Sequence, residues 1–253
     1  MKLMRLYSAG ETRWVMCEDD GIYWLDGDPF GTWTRGIEVR SLAGVRFLAP
    51  CQPTKIIAVG LNYLSHAREV GTNVPQEPVY FLKPPSSIIA HGENIVYPAH
   101  LSQRVDYEGE LAVVIGKRGR SVAPREARDY ILGYSCANDV TASDLQQTDP
   151  QWTRAKGFDT FCPLGPVIAT DVDPSDLTIR TRLNGEVRQE ASTSENVFSV
   201  EELISYISRV MTLEAGDVIL TGTPAGVGEL KPGNRVEVEI EGIGTLTNTV
   251  VEG

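Results

Sequence analysis

Asp106-Tyr107-Glu108-Gly109-Glu110-Leu111-Ala112-Val113-Val114-Ile115-Gly116 opens acidic and runs into unbroken apolar chain. Leu111, Val113 and Ile115 alternate with Ala112 and Val114, so a strand here is apolar on both faces and must be covered on both. Glu108 and Glu110 are two apart and therefore leave the same side of that strand. Two neighbouring carboxylates at a buried strand end repel each other and are costly to desolvate unless a cation compensates them. An exposed strand end would carry the same two residues with no ion. Asn138-Asp139 closes a second apolar stretch, Gly133 to Ala137, and brings a third carboxylate; the ordinary alternative for Asp139 is a turn or helix-cap aspartate. An all-oxygen set suits a hard divalent ion better than zinc or copper. With only His66, His91 and His100 in the chain, a histidine-rich transition-metal site is hard to assemble. The residues alone leave two readings open, an exposed strand end or an all-oxygen site for Mg²⁺, Mn²⁺ or Ca²⁺; the expected cofactor is Mg²⁺ or Mn²⁺, held by Glu108, Glu110 and Asp139.

Outward from this stretch, residues 1–50 show short alternating runs such as Trp14-Val15-Met16 and Ile22-Tyr23-Trp24, separated by Asp20-Gly21 and Asp26-Gly27. That pattern predicts a small antiparallel β domain. Ala49-Pro50-Cys51-Gln52-Pro53 reads as a linker, which leaves residues 51–253 as the larger domain. Within it, Lys55 to Gly60, Val79 to Lys83 and Gly133 to Val140 read as strands. Asn62 is placed to cap a short helix running to about Val70 and closed by Gly71, with His66 and Glu69 on one face. Pro124 to Leu132 and Glu201 to Met211 read as helices, the second with Leu203, Ile204 and Ile207 on its apolar side. Arg235 to Val251 alternates strongly around Glu241-Gly242-Ile243-Gly244, the pattern of a β-hairpin. Strands outnumber helices without regular alternation, so the fold class is mixed α+β and β-rich.

A chain of 253 residues, 42% hydrophobic and 23% charged, is long enough to bury a full core. Its net charge of −11 opposes binding to a phosphate backbone, so nucleic acid is not an expected partner. The longest apolar runs fall far short of the ~20 residues that cross a bilayer, and the start Met1-Lys2-Leu3-Met4-Arg5 is not followed by a secretory apolar region. A cytoplasmic location is expected, with Cys17, Cys51, Cys136 and Cys162 as reduced packing residues.

The opening stretch, followed in order by Asn138-Asp139-Val140-Thr141, Lys156-Gly157-Phe158-Asp159-Thr160-Phe161, Pro163-Leu164-Gly165-Pro166 and Leu220-Thr221-Gly222-Thr223-Pro224-Ala225-Gly226-Val227-Gly228, resembles the fumarylacetoacetate hydrolase family from about Ile56 to Val250. The resemblance implies a β-roll with a metal at its mouth, a homodimer, and chemistry on a small 2-oxo or β-dicarbonyl acid. It carries the metal ligands onto Glu108, Glu110 and Asp139, in agreement with the reading of the residues themselves. It also implies that His66 and Glu69 lie on a helical lid, that Lys156 is the active-site lysine, and that Gln146 and Thr223 contact substrate. By themselves these are an ordinary polar helix face, a surface lysine and a tight turn. Ser143 departs from the pattern, since many relatives carry Arg there; Lys83 is a candidate replacement cation for a substrate carboxylate.

The implied reaction is C–C hydrolysis or decarboxylation through an enolate stabilised by the metal and Lys156, with His66 and Glu69 activating water when the reaction is hydrolytic. The alternative within the family is an isomerase-decarboxylase of the 2-hydroxyhepta-2,4-diene-1,7-dioate or 5-carboxymethyl-2-hydroxymuconate type, from aromatic breakdown. Outside enzymology, the alternatives are a catalytically silent protein that holds a dicarboxylate through its metal and an acidic interaction scaffold. The loop 221–228 lacks the Gly-Lys-Ser/Thr ending of a nucleotide-binding loop, so phosphate binding is not expected.

Overall fold

A computed structural model describes residues 1–253. Gly109–Ile115 is buried along its whole length and lies between Ile131–Asn138, antiparallel on one side, and Val218–Leu220, antiparallel on the other. Leu111, Val113 and Ile115 pack in one core with Ile57, Ile204 and Val238, while Ala112 and Val114 pack in a second with Ile56, Leu164 and Leu220. The strand is thus covered on both faces, as its continuous apolar run requires.

The large sheet has twelve strands. Beyond Val218–Leu220 it continues through Ile56–Gly60, paired in parallel, to Val79–Lys83 at one edge. In the other direction Ile131–Asn138 pairs with Cys162–Ala169, and that strand in turn receives Lys2–Ser8 through Lys2↔Ala169 and Leu3↔Ile168. The antiparallel meander Lys2–Ser8, Glu11–Glu18, Gly21–Gly27 and Trp33–Glu38 therefore extends the same sheet. A five-stranded sheet lies against the first: Glu186–Ser192, Thr178–Leu183, Arg235–Ile240, Gly244–Glu252 and Asn94–Tyr97. Its Arg235–Ile240 and Gly244–Glu252 strands form the expected hairpin, with Val238, Ile240 and Leu246 turned into the core.

The expected single strand from Tyr107 to Gly116 is broken at Glu108. Val105–Tyr107 belongs to a separate three-stranded sheet with Thr141–Ala142 and Gly228–Leu230, and the chain enters the large sheet only at Gly109. At the crossing, the Glu108 N–H donates to Asn138 Oδ1 at 2.9 Å and its carbonyl accepts from the Asp139 amide at 2.8 Å. At Gly109 a Cβ would meet Thr181 Oγ1 of the five-stranded sheet at 2.0 Å, so only glycine lets that sheet approach the large one this closely.

Val200–Val210 is helical as expected, and Ser199 with Glu202 closes a capping box at its start. Pro124–Tyr130 is a 3₁₀ helix that stops before Ile131, which opens a strand, so it is shorter and tighter than its sequence pattern indicates. The helix Leu64–Glu69 forms and is followed by Gly71 at φ +70°, but Asn62 does not cap it. Asn62 is buried and uses its amide to tie three segments together. Its Nδ2 donates to the carbonyls of Phe198 (3.1 Å) and Thr221 (2.7 Å), and its Oδ1 accepts from the Phe198 amide (2.8 Å). A buried amide side chain must satisfy its own donors and acceptor first, and here the tertiary partners outcompete the local cap. No helix is long and apolar enough to cross a membrane.

Candidate metal centre and active-site cavity

Where the three-stranded sheet meets the large one, the carboxylates of Glu108, Glu110 and Asp139 converge, with one oxygen of each lying within 4.8 Å of the others. Local structure sets each of them. Glu110 opens a fully buried strand opposite Ala137, and its Oε2 accepts the Gly222 amide at 2.6 Å. Gly222 has φ +98°, a conformation that glycine adopts without penalty. Glu108 stands at the crossing, with Oε1 accepting the Thr141 hydroxyl at 2.9 Å. Asp139 follows the strand Ile131–Asn138 directly.

Two buried ammonium groups oppose these three acids. Lys156 Nζ donates to Glu108 Oε2 at 2.9 Å and to Asp139 Oδ2 at 2.7 Å. Lys83 Nζ donates to Asp139 Oδ1 and, at 3.2 Å, to the Val140 carbonyl. Burial alone would push Asp139 up, but Lys156 and then Lys83 outweigh it and hold the carboxyl below its usual range. Glu110 has no cation of its own. Burial, then Asp139, then Glu108 raise it well above the ordinary glutamate value, and Lys156 and the Gly222 amide only partly offset them. Burial works against a charged Lys156, yet Asp139 and Glu108 more than compensate and keep the ammonium protonated. With all three acids ionised the cluster is one positive charge short of neutrality, its donors are all oxygen, and Glu110 is the group left uncompensated. That donor chemistry fits a hard divalent cation.

The cluster forms part of the wall of a cavity of about 580 Å³. Its lining includes the apolar Val59, Leu61, Phe81, Trp152 and Val227 and the polar Gln146, Ser143, Arg104 and Asp106. His66 and Glu69 face the same cavity from the helix Leu64–Glu69. His66 Nδ1 and Glu69 Oε2 are 3.1 Å apart, which leaves Nε2 as the imidazole nitrogen without a partner in the chain. Glu69 Oε1 accepts the Gly226 amide at 2.9 Å, so the same carboxylate ties the helix to the loop 221–228.

Lys156, His66, Glu69, Gln146 and Thr223 therefore line one cavity with the three acids. Lys83 does not. Its ammonium is consumed by Asp139 and Val140, it is 1% exposed, and it is absent from the cavity wall, so it holds Asp139 in place and is no replacement cation for a substrate carboxylate. The Thr223 hydroxyl is likewise committed. It donates to the Gly109 carbonyl at 2.9 Å and accepts from Gln189 Nε2 at 2.8 Å, so the hydroxyl is not free to donate to a substrate, although Thr223 itself lines the cavity.

Gln189 was not anticipated. From the five-stranded sheet its Oε1 accepts the Gly109 amide at 3.0 Å, while Nε2 donates to Thr223 Oγ1 and, at 2.9 Å, to the Pro224 carbonyl. One side chain thus clamps the residue between two of the acids to the loop that supports Glu110. The strand Glu186–Ser192 misleads on hydrophobicity alone, because Val187 is 47% exposed and Gln189 only 1%. The lone uncharged amide among Glu186, Arg188 and Glu190 was the available signal. Gln189→Leu should leave the Gly109 amide and the Pro224 carbonyl unpaired, remove one of the two bonds of the Thr223 hydroxyl, and destabilise the protein by about 2–3 kcal/mol, read as a lower urea midpoint. Activity should fall further than the unfolded fraction explains, and unchanged activity in the folded variant would contradict the clamp.

The description "Fumarylacetoacetate (FAA) hydrolase C-terminal" matches residues 55–251, and "Rv2993c-like, N-terminal" matches residues 1–50. The chain is 47% identical to the mitochondrial oxaloacetate tautomerase FAHD2A of Bos taurus, over 82% of this chain and 70% of that one. The solved structure of 5-carboxymethyl-2-hydroxymuconate delta-isomerase from Mycobacterium smegmatis superposes with a TM-score of 0.93 at 47% identity, covering 100% of both chains. That of fumarylpyruvate hydrolase from Pseudomonas aeruginosa in complex with Mn²⁺ and pyruvate superposes with a TM-score of 0.75 at 32% identity, over 82% of this chain and 92% of that one.

Proposed function

This chain belongs to the fumarylacetoacetate hydrolase family, and we propose that it is a divalent-metal-dependent enzyme that moves a proton within a small 2-oxo dicarboxylic acid. The reaction is keto–enol interconversion or the related double-bond shift. The observation that carries this reading is the convergence of Glu108, Glu110 and Asp139 beside Lys156 in a cavity that His66 and Glu69 also face. Those three acids would hold Mg²⁺ or Mn²⁺. When bound, such an ion supplies Lewis-acid polarisation of a substrate carbonyl.

The chain's own groups do the rest. Lys156 remains protonated between Glu108 and Asp139 and places a fixed positive charge where negative charge develops on the enolate oxygen. His66, oriented through Nδ1 by Glu69, presents Nε2 to take a proton from the carbon next to the carbonyl or to return it. Phe81, Trp152 and Val227 in the cavity lining limit water around the intermediate. Proton relocation needs no leaving group and no attacking water, and the similarity to an oxaloacetate tautomerase and a muconate isomerase supports it.

The second reading is C–C hydrolysis of an acylpyruvate or decarboxylation of oxaloacetate. His66 and Glu69 favour the hydrolytic form, because the same pair would orient and deprotonate a water. The similarity to fumarylpyruvate hydrolase supports that reading at lower identity.

Metal-stripped protein should be assayed with enol-oxaloacetate, acetylpyruvate, fumarylpyruvate and a hydroxymuconate analogue, with and without Mg²⁺ or Mn²⁺. The expected result is metal-dependent decay of the oxaloacetate enol absorbance without pyruvate release. Pyruvate release would select the hydrolase or decarboxylase reading, and buffer-level rates on all four with metal bound would sink both.

A further inference from the structure

Arg104, Asp106, Glu108 and Glu110 alternate along one stretch of chain, and all four line the cavity; Val105 and Tyr107 between them turn into the core. At ~3.3 Å per residue, the Cα of Arg104 lies roughly 13 Å from that of Glu108. The row therefore leads from the metal-binding acids to a guanidinium further along the cavity.

The two permanent cations lining the cavity are committed differently. Lys156 is spent on Glu108 and Asp139. Arg104 uses only Nε, which donates to Asp106 Oδ1 and Oδ2 at 3.2 and 3.1 Å; its two terminal nitrogens have no partner in the chain, and its side chain is 56% exposed. Asp106 is 2% exposed and also accepts the Ser143 hydroxyl, so it is a fixed anchor for the Nε edge of the guanidinium. The remaining edge, Nη1 with Nη2, presents two parallel donors, the geometry that takes a carboxylate bidentately.

We propose that Arg104 binds the distal carboxylate of the substrate and makes the enzyme selective for dianionic over monoanionic 2-oxo acids. This rests on the reading of the protein as an enzyme of 2-oxo dicarboxylates. Such a substrate turns its 2-oxo carboxylate towards the acids and their cation, and its second carboxylate otherwise meets a wall that contains Glu69 and Asp106. Arg104 is the cation left to receive it. Asp106 and Ser143 act as positioning residues, since they hold the guanidinium and do not touch substrate.

The test compares oxaloacetate with its 4-ethyl ester, in which a neutral ethyl ester replaces the distal carboxylate, on wild type, Arg104→Gln and Arg104→Lys. Steady-state kinetics are run with Mg²⁺, and Kd values for the metal-loaded proteins are read from tryptophan fluorescence, since Trp152 lines the cavity. Arg104→Gln should weaken oxaloacetate about tenfold, equivalent to about 1.4 kcal/mol. The loss should appear in KM and Kd rather than kcat and spare the ester, and Arg104→Lys should recover part of it. Equal losses for acid and ester would reduce Arg104 to a tether for Asp106 and overturn the proposal, as would no loss for either. If wild type binds both ligands but turns over neither, the catalytic reading fails while the Kd comparison still decides Arg104. A wild type that binds neither ligand overturns both.

Discussion

Glu110→Gln should abolish tight binding of Mg²⁺ or Mn²⁺ and lower turnover by roughly two to three orders of magnitude. The substitution preserves shape and the contact to the Gly222 amide, so a lost ligand charge is the main change. Glu110 is the acid with no cation of its own, and it is raised well above its ordinary range by burial first and then by Asp139 and Glu108. A metal must displace the proton held there, so calorimetric titration of wild type with Mg²⁺ in buffers of different ionisation enthalpy should report proton release. The release should shrink as pH rises.

Stability has a matching sign. The folded pKa of Glu110 lies above its unfolded value, so this residue's contribution to metal-free stability is fully present below the unfolded value and declines as pH rises towards the folded one. Glu110→Gln lacks that dependence and should melt higher than metal-free wild type at neutral pH. Should the variant bind metal as tightly as wild type, the three acids are not the metal site.

Lys156→Met should abolish measurable turnover while metal binding persists. The removed ammonium lies against Glu108 and Asp139, and in a catalytic site it would stabilise the charge that develops on the substrate. The same contacts give a second readout. Without a metal, the variant has two buried acids and the partly buried Glu108 opposed by Lys83 alone, and breaking a buried pair from one side costs about 3–5 kcal/mol. Its melting temperature should therefore drop sharply in chelator and recover with Mg²⁺ by much more than that of wild type. A silent dicarboxylate-binding protein would show the thermal effect with no activity to lose, and an acidic scaffold would show no response to metal at all.

Much of the architecture is legible along the chain. The apolar run after Glu110 demands cover on both faces and receives it, the alternation around Glu241-Gly242-Ile243-Gly244 becomes a hairpin, and Ser199 with Glu202 starts the best-formed helix. The acid pair is also legible, because residues two apart in extended chain share a side even though the strand breaks at Glu108. The helix near Asn62 forms as the sequence indicates but without the cap expected from Asn62, since the Asn62 amide finds partners more than a hundred residues away at Phe198 and Thr221.

What the sequence by itself determined is therefore the β-rich class, the acids that converge, and the family motifs that place Lys156 and His66 near them. Only the tertiary structure decided how the remaining polar groups are used. Lys83 turned behind Asp139, Thr223 gave its hydroxyl to Gly109 and Gln189, and Arg104 kept one edge of its guanidinium open. The physical reason is that local pattern encodes which side of an element faces the core. A buried charge or amide instead settles on whichever partner the packing of distant strands brings within hydrogen-bonding distance.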